Sequence, residues 1–390
     1  MTFVTTNGRA TLTDISSRDF APPIGQTVRD FVKDIGDPYI EYGKLEQLLL
    51  VPSLIAARGR LLSIKQWRCQ DRVLGHVDCC FLHSEKMEAL TGRPDNYAIY
   101  ACDGLAYGLI DLMSLCLSMP TVLKEIGNSG LEDIERVYVR TKPAGYGFFR
   151  QSEDSPIDFS KDITAPKCST RSLAALYLTG ISLDLVFCHE MAHVMYGHVD
   201  FVASTLGVRA LFEQPKGDSD LRLMVLEAEA DRYGMMAAIE AAVRPNSPYL
   251  PFALRQLSIW TRVKAVFVTA ALLTWFWAFH QKIDREINHF DPYASGSHPP
   301  PLARLHLTFK AGRLALERLG WSREHANRVS LEAMEELEEI GKAKKWFEIL
   351  LPDRSFGLKA MEFVDTVNKI ANDLIPDVNQ AIEKFRFFPP

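Results

Sequence analysis

Residues 188–193 read Cys-His-Glu-Met-Ala-His, and within them His189, Glu190 and His193 form the pattern H-E-x-x-H. On an α-helix, residues four apart lie one turn above each other on the same face. His189 and His193 can therefore offer two imidazole nitrogens to one metal ion. Glu190 sits about 100° further round, near enough to take a proton from water at that metal without ligating it. The bland alternative is a surface helix with two solvated histidines. Leu183, Leu185, Val186, Phe187, Met191, Ala192 and Val194 make the segment apolar almost all round, which predicts a buried helix. A buried Glu between two His needs partners.

A catalytic zinc usually takes three protein ligands and leaves one position open. Two residues compete for the third place. His198 is nearer, but Gly197 and His198 miss the positions of H-E-x-x-H-x-x-G-x-x-H by one residue each. On a continuous helix His198 would point about 140° away from His193, so it reads as a cation favoured at a helix C-terminus. Glu227 is the better candidate. It lies on the next predicted helix with Asp231 four residues on, so the two carboxylates share a face. Leu226, Ala228 and Ala230 surround them, and Glu229 already suffices for an exposed face. Glu227 can complete the ligand set, while Asp231 can hold a ligating imidazole in its tautomer.

These residues need elements to carry them. A helix is predicted from a cap at Ser169, Thr170 or Ser172 to about Gly197, and a second from an acidic start at 218–220 to about Val243. Residues 96–102 are rich in β-formers and predict a strand; an apolar helix follows from Gly104 to Pro120. Residues 137–140 predict another short strand and 141–170 a long loop. Residues 1–43 read as loop-rich and 44–62 as helical with a break at Pro52. Cys69, His76, Cys79, Cys80 and His83 cluster locally but lack paired C-x-x-C spacing, and read as buried thiols. Beyond 299–301 the pattern is helical. The Glu-rich run Glu332 to Glu339 ahead of Lys342 predicts a solvated face, and 363–374 a last amphipathic helix.

The chain has 390 residues, 47% hydrophobic and 24% charged, enough for a substantial core. A net charge of −5 gives no basic footprint for nucleic acid. Seven scattered cysteines and no basic-then-apolar leader point to a reducing compartment, the cytoplasm. One stretch tests that expectation. Residues 265–279 carry no charge and fall between a core helix and a membrane span in length. They predict a buried helix, with peripheral association or insertion in the inner membrane as the alternative.

His189-Glu-x-x-His193 followed by Glu227-Ala-Glu-Ala-Asp231-Arg-Tyr-Gly234 resembles the gluzincin metallopeptidases, especially the M48 group of CAAX prenyl endopeptidases and HtpX-like proteases. Ser297-His298-Pro-Pro-Pro-Leu-Ala-Arg304 resembles the His-Pro segment ending in Arg that follows in such proteins. Residues 96–105 resemble their substrate-edge strand, without its usual glycine pair. The resemblance spans about residues 90–310, and a relative like the phage-exclusion protease Lit would suit the pattern as well. It implies Zn2+ held by His189, His193 and Glu227, Glu190 as general base, and Asp231 as support. It also implies His298 as oxyanion donor, with Arg304 assisting it or fixing the loop.

The expected fold is α+β and predominantly helical, a zincin-like core with a small edge sheet. An N-terminal region spans 1–90, the metallopeptidase domain 91–310 and a helical extension 311–390. The expected function is zinc-dependent endoproteolysis of a protein or peptide, with the strand at 97–101 pairing with the extended substrate. An aminopeptidase or small-peptide hydrolase, and a non-catalytic metal-containing sensor or scaffold, are the alternatives. The C-terminal helices leave room for a partner or self-association.

Overall fold

The computed structural model describes residues 5–6, 9–10, 37–38, 68–69, 72–73, 77–84, 86, 88–92, 97–132, 166–206, 221–244, 256–280 and 301–343. The predicted strand at 137–140, most of the loop at 141–170, the helices at 44–62 and 363–374, and His298 lie outside them. Four strands form one sheet: β1 (Asp37–Pro38), β2 (Val77–His83), β3 (Ala89–Gly92) and β4 (Tyr97–Cys102). Their order is β1-β2-β4-β3, with β2 and β4 parallel and the other pairings antiparallel. The helices are α1 (Asp103–Leu117), α2 (Ser169–Met195), α3 (His198–Leu206), α4 (Leu221–Val243), α5 (Ile259–His280), α6 (Pro301–Arg318) and α7 (Arg323–Ala343). The chain is α+β and predominantly helical.

β4 is buried along its whole length, and its side chains divide by strand periodicity. Tyr97, Ile99 and Ala101 join the main core with the helices, whereas Ala98, Tyr100 and Cys102 form a smaller cluster with Cys80, Leu82 and Leu90 on the opposite face. Phe81 of β2 meets Phe187 of α2 edge-on, with ring centroids 5.4 Å apart. This contact seats the sheet against α2, the helix that carries the histidines. Since β2 and β3 occupy both edges of β4, the expected pairing of a substrate with residues 97–101 is excluded. The backbone groups it needs already serve the sheet.

Helix α2 packs on α1, α4 and α5, and α4 packs in turn on α6 and α5. α2 and the Ile259–Trp277 part of α5 are long and apolar enough to cross a membrane, but 67% and 89% of their most apolar windows are buried inside the protein. That is the environment of core helices. α5 also carries the buried Lys264, whose ammonium donates to Glu125 at 2.6 Å and Glu336 at 3.0 Å. The Glu-rich run on α7 is therefore not wholly a solvated face. Glu336 is buried, accepts from Lys264 and from the Leu123 N–H at 2.8 Å, while Glu332 accepts from Trp260 Nε1 at 2.6 Å. Its helix phase, not its position in a charge run, decides which glutamates turn inward.

The first turn of α2 is fixed by a buried arginine. Arg171 is 0% exposed, and its five N–H groups donate to the carbonyls of Leu117, Met119, Val122, Leu123 and Ile126 at 2.7–3.1 Å. Those carbonyls end α1 and line the turns after it; Met119 and Leu123 also accept from the Val122 and Ile126 N–H groups, and helix ends leave such acceptors short of partners. Glu132 lies 3.8 Å from the guanidinium and accepts from the N–H groups of Lys167 and Cys168 at the start of α2. The residue at the helix N-cap is Cys168, with no side-chain cap bond. The Glu132 carboxylate takes the N-cap N–H, as the N3 acid of a capping box does. Gly127, at φ +64°, leaves room here that a Cβ would fill, meeting Cys168 Sγ at 2.9 Å.

Candidate metal centre

In the last two turns of α2, the spacing of His189 and His193 places their rings one turn apart, both facing α4. Their Nε2 atoms lie 3.0 Å apart. Glu227 of α4 reaches between them, with Oε2 3.2 Å from His189 Nε2 and Oε1 3.4 Å from His193 Nε2. All three residues are buried, and together they form the group among the described residues that could bind a metal ion. Tetrahedral coordination with ligand bonds of about 2.0–2.1 Å places neighbouring ligand atoms roughly 3.3 Å apart. The three separations here fit such an arrangement, and a buried set of two imidazoles and a carboxylate suits a divalent ion.

The two helices can approach this closely because α4 has no side chain where they touch. A Cβ on Gly234 would lie 2.9 Å from the Leu185 carbonyl and 3.8 Å from His189 Cβ. That carbonyl is within the turn of α2 that carries His189, so the glycine sets how near Glu227 and Asp231 come to the imidazoles. An isolated glycine inside a helical pattern is a signal of such an approach, but at sequence level it had no partner to point to.

Asp231 lies one turn beyond Glu227. Its Oδ1 is 2.8 Å from His189 Nδ1, and Arg304 of α6 donates to both of its oxygens at 2.6 Å. The Arg304 guanidinium also lies over the Trp277 ring, 4.4 Å from the centroid. Burial works against both charges, yet Arg304 holds the Asp231 carboxyl below its ordinary range, and Asp231 in turn keeps Arg304 firmly protonated. Burial likewise opposes a charged His189, but the hydrogen bonds of Asp231 and Glu227 outweigh it and raise its pKa to about 10. A metal ion binding here would take the place of a proton on His189, since a ligating imidazole must be neutral.

Glu190 follows His189 and points toward the sheet. Thr91, on β3, donates to Glu190 Oε2 at 2.5 Å and lies 3.2 Å from its backbone carbonyl. Burial raises the Glu190 carboxyl above its usual range, opposed in part by His189 and by this hydrogen bond. Thr91 carries no sequence signal, since it is 99 residues away from the acid it meets.

His198 is not at the end of the helix. The chain leaves α2 through Tyr196 and Gly197, the latter at φ +76°, and His198 opens α3. The turn folds it back over His193. His198 is 0% exposed, its Nδ1 is 2.9 Å from His193 Nδ1 and its Nε2 is 3.2 Å from Glu229 Oε2. The separation of about 140° from His193 expected for a continuous helix does not hold, because the turn at Gly197 intervenes; His198 is a buried imidazole between His193 and Glu229 and not a solvated cation at the helix end. Glu229, assigned to an exposed face, is the partner of a buried imidazole.

The structure thus brings together His189, His193, Glu227, Asp231, Glu190 and Arg304. Cys79 and Cys80 are buried free thiols and belong to no metal group among the described residues. Compared with protein-family models, with curated proteins and with solved structures, the chain matches none of them.

Proposed function

We propose that this chain is a zinc-dependent metallopeptidase, and that His189, His193 and Glu227 are its metal ligands. The observation that carries the reading is the convergence of two imidazole Nε2 atoms and a carboxylate at 3.0–3.4 Å, with a second acid next in sequence to one of the ligands. The gluzincin-like motifs support it. A zinc ion held there would acidify water towards a pKa of about 7 and polarise a peptide carbonyl.

The remaining roles fall to the chain's own side chains. Glu190 is the general base: burial raises its proton affinity, which suits a group that accepts a proton near neutral pH. Thr91 occupies Oε2, which orients the acid and leaves Oε1 to receive the proton and pass it to the leaving amine. Asp231 receives the Nδ1 proton of His189 and so keeps Nε2 free as a ligand. Of the two roles the resemblance allowed Arg304, support fits better, because two of its nitrogens are spent on Asp231. The substrate class is a protein or peptide, since the assembled groups are those of amide hydrolysis.

The test is zinc content and cleavage of a casein-like substrate by wild type, Glu190→Gln and Glu227→Ala. The expected result is stoichiometric zinc in wild type and Glu190→Gln, weakened zinc in Glu227→Ala, and cleavage by wild type only, with a loss of about 10²–10⁴-fold or more in Glu190→Gln. Stoichiometric zinc in Glu227→Ala would remove it from the ligand set. No zinc in wild type, and no metal restoring activity, would end the peptidase reading.

A further inference from the structure

The proposed metal site assigns nothing to His198 and Glu229, yet they sit in line behind one of its ligands. We propose that His198 and Glu229 are positioning residues for His193, a hydrogen-bond chain with one direction that keeps the metal-facing nitrogen of His193 free of its proton. The inference rests on the metal reading and extends it outward from the ligands.

His193 Nε2 lies 3.0 Å from His189 Nε2 and 3.4 Å from Glu227 Oε1, so Nε2 faces the ligand set. A ligating imidazole needs its lone pair there, and its single ring proton must then be on Nδ1. That nitrogen is 2.9 Å from His198 Nδ1. Two ring nitrogens at hydrogen-bond distance share one proton, so His198 Nδ1 must accept. The proton of His198 is therefore on Nε2, which lies 3.2 Å from Glu229 Oε2, a carboxylate that can only accept when ionised. Each link has one workable assignment, and the acid at the far end sets all of them. In the reverse assignment, His198 would donate through Nδ1, and His193 would carry its proton on Nε2, pointed at His189 and Glu227. That state closes the site.

Three separate elements build the chain. α2 supplies His193, the left-handed turn at Gly197 brings His198 back over it, and α4 supplies Glu229 two residues after the ligand Glu227. His198 is wholly buried, whereas the Glu229 side chain is 25% exposed, so the chain runs from the ligand towards solvent. An ordinary core histidine needs any hydrogen-bond partner; this one has a metal-ligand candidate on one nitrogen and a carboxylate on the other.

The test measures Zn2+ affinity of the full chain, by competition with a chelator of known affinity, in wild type, His198→Phe, His198→Asn and Glu229→Ala. Urea unfolding of each metal-free protein runs beside it. Phe keeps the ring shape without an acceptor; the Asn carbonyl can stand where Nδ1 stands. The expected result is 10- to 100-fold weaker Zn2+ binding in His198→Phe, a smaller loss in Glu229→Ala, and recovery of most of the affinity in His198→Asn. Wild-type affinity in His198→Phe would overturn the proposal, as would equal losses in Phe and Asn that track metal-free stability. If wild type itself binds no Zn2+, the metal reading fails and takes this inference with it. That outcome differs from one in which wild type binds and the variants match it.

Discussion

The two ends of α2 each bury polar groups, and they do so in opposite ways. At the first turn, every N–H of Arg171 ends on a backbone carbonyl, and nothing is left over. Near the last turns, the Nε2 atoms of His189 and His193 and the Glu227 carboxylate bring acceptors towards one another. Donors and acceptors paired one to one hold a fold together; two imidazole nitrogens and a carboxylate brought within 3.0–3.4 Å of one another make a ligand set. The difference separates scaffold from site more clearly than burial, which both ends share.

The largest effect is expected at the site end. Asp231→Asn is isosteric, but it removes the charge that pairs with Arg304 and leaves the buried guanidinium without its two-oxygen carboxylate partner. We expect a loss of about 3–5 kcal/mol in stability from the broken pair, together with weaker metal binding. Urea unfolding and chelator competition would show both. A variant that kept its zinc affinity would deny Asp231 its hold on His189.

Arg171→Met tests the scaffold end. Removing the donor shared by five carbonyls, of which only Met119 and Leu123 keep a backbone N–H among the described residues, should cost about 3–5 kcal/mol by urea unfolding, while Zn2+ affinity of the folded protein stays that of wild type. Parallel loss of affinity would mean that the two ends are one unit. Gly234→Ala lies between them. The added methyl meets the Leu185 carbonyl, so we expect destabilisation of about 1–3 kcal/mol with some loss of zinc affinity.

The smallest effect belongs to Asp111 on α1, a carboxyl whose pKa burial pushes up to about 6 from 3.8. The folded state keeps this proton longer than the unfolded one, so its contribution to stability falls as pH rises from about 4 to 6 and is flat above. Asp111→Asn should therefore gain about 1–3 kcal/mol at pH 7 and nothing at pH 4. A gain independent of pH would place its origin elsewhere. This half-buried aspartate lies outside both networks and shows what partial burial of an acid costs.

How much of this was written in the chain depends on sequence distance. His189 with His193, and Glu227 with Asp231, are pairs one helical turn apart, and periodicity alone puts each pair on a face. The strand before α1 and the apolar interior of α5 were legible for the same local reason. Thr91 and Arg171 were not, because their partners lie many residues away and a Thr or an Arg in an apolar context has no motif. His198 was set apart from His193 by continuing the helical rotation past Gly197, where the chain in fact turns back. The sheet order was equally hidden: nothing in residues 96–102 tells a central strand from an edge.

Gly234 has a bearing on which ion this centre would take. Divalent ions differ in radius and in the number of donors they gather: small tetrahedral zinc accepts nitrogen and a single carboxylate oxygen, whereas calcium needs six or more oxygens at 2.3–2.6 Å. A glycine at the point of contact acts as a caliper set to its narrowest opening. Widening it by one methyl group should erode the preference for zinc over larger, oxygen-seeking ions, which competition between Zn2+ and Mn2+ on wild type and Gly234→Ala would measure. The selectivity of the centre would then reside in a residue that binds nothing.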